Sequence, residues 1–202
     1  MSGPVIASLL GAFLLGGIPF SHLIARRRGV DLRTVGSGNV GATNLARALG
    51  YGVGAVGLLL DVAKGAVAVL VPRVALGPQA TPTIQALAAA LAVLGHSFSP
   101  FLRFKGGKGV ATGTGAFAVL APQATLAAIG VFGVVVALTR FVGLGSVLGA
   151  LALPVAVFLF GADRAVTAAS AVVGVLVIAR HRDNIARLLR GTEHRMDAGD
   201  RT

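Results

Sequence analysis

The chain has 202 residues, of which 55% are hydrophobic and only 12% charged, about half the charged share that a soluble domain uses to cover its surface. Lysine and arginine outnumber aspartate and glutamate 18 to 7, giving a net charge of +11, yet one tyrosine and no tryptophan leave no base-stacking surface, which argues against nucleic acid. Cysteine is absent, which excludes disulfides, thiolate metal sites and a cysteinyl acyl-enzyme. What remains is an all-α, polytopic membrane helix bundle whose outside faces lipid.

The first apolar run, Val5 to Ala25, is followed by Arg26, Arg27 and Arg28 rather than preceded by them. That order is the reverse of a cleavable signal, and the positive-inside rule places the N-terminus outside and Arg26 inside. A polar stretch from Arg26 to Arg47 leads to a second span, Tyr51 to Val71. Within this span Asp61 and Lys64 stand at i, i+3. Ionisable groups at membrane depth are costly, so these two read as a mutually paired structural bridge. A turn-rich connection over Pro72 to Pro82 precedes a short third span, Thr83 to Gly95, and a second polar stretch, His96 to Lys108. The remaining apolar sequence, Val110 to Ile178, breaks near Pro122, at Arg140 to Gly145 and at Gly161 to Arg164, with Gly143, Gly145 and Gly149 suited to close helix packing. A third polar stretch, Arg180 to Arg195, closes a single domain of residues 1–195, and residues 196–202 read as a cytoplasmic tail.

All three polar stretches are basic, so all three are expected on the cytoplasmic side. Val110 to Leu138 is too long for one span of ~20 residues and short for two. Splitting it near Pro122 gives about seven transmembrane helices with a cytoplasmic C-terminus. Five is the alternative, with Val110 to Leu120 re-entrant.

Each polar stretch has the makings of a phosphate site. In the first, glycines alternate through Gly36-Ser37-Gly38-Asn39-Val40-Gly41, freeing backbone N–H groups to converge on an anion. Thr43 or Asn44 can then cap a helix whose N-terminus favours phosphate, with Arg47 three or four residues into it. The second stretch, Lys105-Gly106-Gly107-Lys108-Gly109 with Thr112 beyond, has the logic of a phosphate loop without the G-x4-G-K spacing of a Walker sequence. In the third, Ile185, Leu188 and Leu189 mark an amphipathic interfacial helix ended by Gly191, and His181 and Asn184 share one face of it.

Three linked motifs give these stretches a family likeness. Ser-Gly-Asn-x-Gly-x-x-Asn over Ser37 to Asn44, Gly95-His96 with Phe104 to Thr112, and His181 to Leu188 with Gly191 to Glu193 occur in order along nearly the whole chain. Together they resemble the bacterial acyl-phosphate:glycerol-3-phosphate acyltransferases, the PlsY family. The resemblance implies a seven-helix bundle of the bacterial cytoplasmic (inner) membrane with its active site on the cytoplasmic side. It also implies acyl transfer from acyl phosphate to the 1-hydroxyl of glycerol 3-phosphate, giving lysophosphatidic acid and phosphate, the first acylation step of phospholipid biosynthesis. No cofactor, metal or obligate protein partner is implied; the partners are the two substrates and the lipid bilayer. The residues matched to it take expected roles. Ser37, Gly38, Asn39, Asn44 and Arg47 bind phosphate and orient the acceptor, with Ser37 catalytic. Lys105, Gly106, Gly107 and Thr112 cradle the acyl-phosphate head with the catalytic Lys108. His181 and Asn184 assist at the reacting centre, and His96, Arg182 and Glu193 support, Glu193 by tying Arg182 or another basic residue in place.

The His-x4-Asp motif of other glycerol-phosphate acyltransferases is missing: the fifth residue after His96 is Phe101, and after His181 it is Ala186. The proton acceptor is therefore either His181 or the departing phosphate. A transporter of a phosphorylated small molecule is the rival from another class, but such proteins carry internal repeats with a midplane site, and this chain shows no repeat. A purely structural lipid-binding protein is the weaker rival.

Overall fold

Glycine decides how closely the helices of this chain approach. The computed structural model describes residues 2–196, which contain no strand. Among them the α-helices run in order α1 (Gly3–Gly17), α2 (Phe20–Arg27), α3 (Ala42–Leu49), α4 (Tyr51–Leu76), α5 (Pro82–Ser97), α6 (Val110–Leu120), α7 (Pro122–Thr139), α8 (Val142–Leu159), α9 (Arg164–Arg180) and α10 (Arg182–Leu189). The α1–α5 seam is reciprocal: a Cβ on Gly16 would stand 2.1 Å from the Ala92 carbonyl oxygen, and one on Gly95 2.0 Å from that of Phe13. The α4–α6 seam repeats the device, with Gly65 against the Thr112 carbonyl at 2.0 Å and Gly115 against that of Val62 at 1.9 Å. Small residues let transmembrane helices approach backbone to backbone, where lipid supplies no hydrophobic drive to hold them.

Val69, Val93, Phe117, Val157, Val173 and Val177 belong to the largest buried cluster, which runs from α4 to α9. Leu59, Val74, Leu126, Leu138 and Val175 are about two-thirds exposed or more, an outward apolar surface that suits lipid. By length and apolar composition α4, α5, α7 and α8 can each cross a membrane, and the bent pairs α1–α2 (40°) and α9–α10 (54°) raise the count to as many as six. α6 has 11 residues, a rise of about 16 Å, roughly half the ~30 Å hydrocarbon core. The break near Pro122 is real, at Ala121 between α6 and α7.

Val5 to Ala25 is two helices rather than the single run expected. α1 ends at Gly17 and the chain breaks at Ile18 and Pro19, so the Gly17 and Ile18 carbonyls lack helical i+4 partners. Side chains from elsewhere replace them: Ser99 Oγ donates to the Gly17 carbonyl at 2.6 Å, and Lys64 Nζ to that of Ile18 at 2.6 Å. Lys64 pairs with Asp61 at 2.8 Å, and Ser21 Oγ donates to Asp61 Oδ2 at 2.9 Å. Asp61 and Lys64 therefore close the α1–α2 break as well as neutralising each other. Of the expected tail only Met196 is described; its N–H donates to the Arg140 carbonyl at 2.8 Å, and Asp197 to Thr202 lie outside the described residues.

Candidate active site

Between α2 and α3 the chain winds around one buried side chain. Asn44 donates through Nδ2 to the carbonyls of Leu32 and Val35, both at 3.0 Å, and accepts from the Ser37 N–H at 3.0 Å. α3 begins at Ala42 with Gly41 as its cap, and no side chain caps it. Asn44 thus serves the preceding loop rather than capping the helix. Gly36 must be glycine at φ 54, since a Cβ there would stand 2.4 Å from Asn44 Oδ1. Asp31 pins Arg33 in the same loop with bonds of 3.0 Å to its backbone N–H and 2.7 Å to its Nη2. The Arg33 hydrogen bonds hold the Asp31 carboxyl well below the usual carboxylate range.

The Lys-Gly-Gly-Lys turn lies on the end of α5. A Cβ on Gly106 would meet the His96 carbonyl at 2.1 Å, and one on Gly107 the His96 Nε2 at 2.3 Å. These glycines are required by packing against His96. The Gly107 N–H donates to the His96 carbonyl at 3.1 Å, so it is occupied within the protein. Thr112 is fully buried, with Oγ1 3.0 Å from His96 Nδ1. Arg180 clamps the turn from α9, donating Nε to the Gly107 carbonyl at 3.1 Å and Nη2 to that of Gly106 at 2.9 Å.

A chain of polar contacts joins the second stretch to the third. Lys108 Nζ donates to Asn184 Oδ1. Asn184 Nδ2 donates to Glu193 Oε1 at 2.5 Å, and Arg187 Nε to Glu193 Oε2 at 2.8 Å. Glu193 therefore ties Arg187; Arg182 is exposed and meets only Asp183, at 3.7 Å. Gly143 at the start of α8 leaves room for this chain, since a Cβ there would stand 2.7 Å from Asn184 Nδ2. Burial, reinforced by the Arg187 guanidinium and opposed by Glu193 and Asp183, lowers the Lys108 pKa to about 8. Arg47, exposed on α3, is in electrostatic reach of Lys108, Arg187 and Glu193. His181 is buried, with Nδ1 2.7 Å from the Val177 carbonyl. That acceptor requires the proton on Nδ1, which leaves a lone pair on Nε2.

The three stretches share one cleft of about 490 Å³. The first gives it Ser37, Gly38 and Asn39 with Arg33; the second gives Lys105, Gly106 and Lys108; the third gives Arg180, Asp183 and Arg187. Of the residues singled out from sequence, Ser37, Gly38, Asn39, Lys105, Gly106 and Lys108 form its walls. Asn184 and Glu193 stand behind Lys108, and His181 is buried and off the cleft wall, while Asn44, His96, Gly107 and Thr112 support the loops. Sequence reasoning passed over Arg33, Arg180 and Arg187. The Asp31-Leu-Arg33 spacing and the helical offset of Arg187 from Asn184 were available signals, but the Arg180 clamp joins residues too distant in sequence to leave one.

These features define an integral membrane protein of helices with a cation-lined cleft at one end of the bundle. The family model described as glycerol-3-phosphate acyltransferase matches residues 6–191, and the chain belongs to that family. A glycerol-3-phosphate acyltransferase of Geobacter sulfurreducens is 46% identical over 187 residues, covering 93% of this chain and 95% of that one. One of Anaeromyxobacter dehalogenans is 46% identical over 202 residues, with 97% and 100% covered. The fold is similar to the crystal structure of PlsY (YgiH), an integral membrane glycerol 3-phosphate acyltransferase, in its glycerol 3-phosphate form, with a TM-score of 0.91, 39% identity and 96% of each chain covered. The lysophosphatidic acid form of the same enzyme gives a TM-score of 0.89 at 37% identity, again over 96% of each chain.

Proposed function

We propose that this glycerol-3-phosphate acyltransferase takes its acyl group from acyl phosphate and delivers it to the 1-hydroxyl of glycerol 3-phosphate, releasing lysophosphatidic acid and inorganic phosphate. The observation that carries the reading is the cleft itself, where Arg33, Lys105, Lys108, Arg180 and Arg187 face a single carboxylate, that of Asp183. Two phosphates can be held there side by side, and their mutual repulsion offset.

Acyl phosphate is already activated, so no covalent acyl-enzyme is required. The hydroxyl oxygen of glycerol 3-phosphate attacks the acyl carbonyl carbon, the carbon–oxygen bond to phosphate breaks, and phosphate leaves with the electron pair. The hydroxyl proton passes to His181 Nε2 or to the departing phosphate. Ser37, Gly38 and Asn39 with Arg33 hold the acceptor, and Lys105, Gly106 and Lys108 hold the donor head. Arg47 adds positive potential from α3. The Asn184–Glu193 pair fixes Lys108 in place, which keeps the charge positioned as negative charge develops on the carbonyl oxygen.

Counting α6 as a crossing and each bent pair as one gives seven, with the N-terminus outside and the cleft and C-terminus cytoplasmic, in a bacterial inner membrane. Among described residues the basic side chains support this. Only Arg73 and Arg164 lie toward the far end and Lys64 lies mid-helix, while the others gather at the cleft end. Residues 1–195 act as one domain, and no second protein is required.

The site is tested by Ser37→Ala, Lys108→Ala and His181→Ala. Loss of a positioned donor or base is expected to lower turnover by roughly 10²–10³ while the thermal transition in detergent stays near that of the parent protein. Unchanged turnover in all three rejects this site.

A further inference from the structure

Phe104 is out of character with the rest of the cleft. It lines the cavity and is 63% exposed. The other apolar wall residue, Val40, is only 6% exposed. The backbone beneath the ring is strained: Arg103 and Phe104 are successive non-glycine residues at φ 51 and φ 62, in the left-handed region that L side chains rarely adopt. The turn is locked there by the Phe104 N–H donating to the Ser99 carbonyl at 2.8 Å and the Lys105 N–H to that of Leu102 at 3.0 Å. At Gly36, Gly38 and Gly109, around the same cleft, the chain meets positive φ with glycine. At position 104 it keeps a large aromatic ring instead, and strain retained at a site is a pointer to use.

The neighbour of this ring is Lys105, a cation of the same cleft. One turn thus offers an ammonium and an exposed apolar face side by side, the two ends of an amphiphile. Behind it Arg180 grips the Gly106 and Gly107 carbonyls and lies 5.4 Å from the centroid of the Phe98 ring, so the backing of the turn is fixed.

We propose that Phe104 is a binding residue for the acyl chain. Its ring is the wall against which the first methylenes rest as the tail leaves the phosphate cleft for the lipid. The inference rests on the acyl-transfer reading and concerns the acylated ligands, donor and product, and not glycerol 3-phosphate.

Calorimetric titration of purified full-length protein with glycerol 3-phosphate and with a short-chain lysophosphatidic acid tests it without requiring turnover. Phe104→Ala should weaken lysophosphatidic acid binding roughly tenfold, the worth of about two buried methylenes, and leave glycerol 3-phosphate binding unchanged. Phe104→Leu should restore most of the loss. Phe104→Gly, which relieves the backbone, should fold at least as well as the parent and show the same loss as alanine. Phe101→Ala removes a ring that is 57% exposed in the same segment but off the cleft wall, and it should bind both ligands as the parent does. The proposal is overturned if Phe104→Ala binds lysophosphatidic acid normally, if it loses both ligands equally, or if Phe101→Ala loses as much, which would mark a general membrane-interface effect. A parent protein that binds neither ligand defeats the acyl-transfer reading, and the proposal with it. A parent that binds both leaves that reading standing whatever the variants do.

Discussion

Lys108 has Arg47 and Arg187 as neighbours in the field of the cleft, and burial lowers its pKa to about 8. A lysine with a lowered pKa is fully charged only below that value, so the cleft loses this cation as pH rises through about 8. In the pH profile, kcat/KM reports the free enzyme and should fall above about pH 8, tenfold per unit. The corresponding limb of kcat should lie higher, because a bound phosphate favours the charged amine. Lys108→Met, assayed at high enzyme concentration, should lose that limb. A limb that survives in this variant belongs to another group. At this scale the sequence was legible for residues that touch the cleft and misleading for those that support it. Ser37, Gly38, Asn39, Lys105 and Lys108 could be read as phosphate ligands from their types. Asn44 and Thr112 sit in the same motifs, yet Asn44 is consumed by three loop hydrogen bonds and Thr112 by His96. A motif records which residues matter together; it does not separate a ligand from the group that holds the ligand's backbone.

The elements owe their positions to close approaches. Gly65 and Gly115 bring α4 and α6 together, and α6 begins directly after the Lys-Gly turn. Widening this seam therefore moves the lysines of the cleft wall. Gly115→Val places side-chain atoms where the Val62 carbonyl stands and should cost several kcal/mol, lowering the thermal transition and turnover together. Gly130→Ala, on α7 where nothing lies within 4 Å, should leave turnover unchanged and lower the thermal transition not at all, since alanine favours a helix interior over glycine by about 0.5–1 kcal/mol. Equal tolerance at both positions would deny the seam its role. Apolar runs and polar breaks made most helices readable, including the division at Pro122. The α1–α2 break was not readable, because Pro19 alone does not say whether the freed carbonyls find partners. They find them in Ser99 and Lys64, which lie far along the chain. The glycines of the Lys-Gly-Gly-Lys turn likewise read as room for phosphate, while in the fold they make room for His96.

For the molecule as a whole, composition already excludes an exterior that faces water throughout, and the placement of charge makes the bundle one-sided. The structure adds convergence: three stretches separated by apolar helices meet at one cleft, with Lys108 and Asn184 in contact behind its wall. Sequence order could not supply that meeting, since it depends on α5 and α9 ending, and α6 beginning, at the same face. A cleft shared by a lipid-soluble donor and a water-soluble acceptor at the membrane edge is the central claim, and one assay tests it most directly. Purified protein in detergent is given glycerol 3-phosphate with acyl phosphate, acyl-CoA or acyl-carrier protein in parallel, and lysophosphatidic acid and inorganic phosphate are measured together. The account predicts that acyl phosphate yields lysophosphatidic acid and phosphate one for one, with little product from either thioester. Folded protein that makes no lysophosphatidic acid from acyl phosphate, or that uses a thioester efficiently, would contradict it.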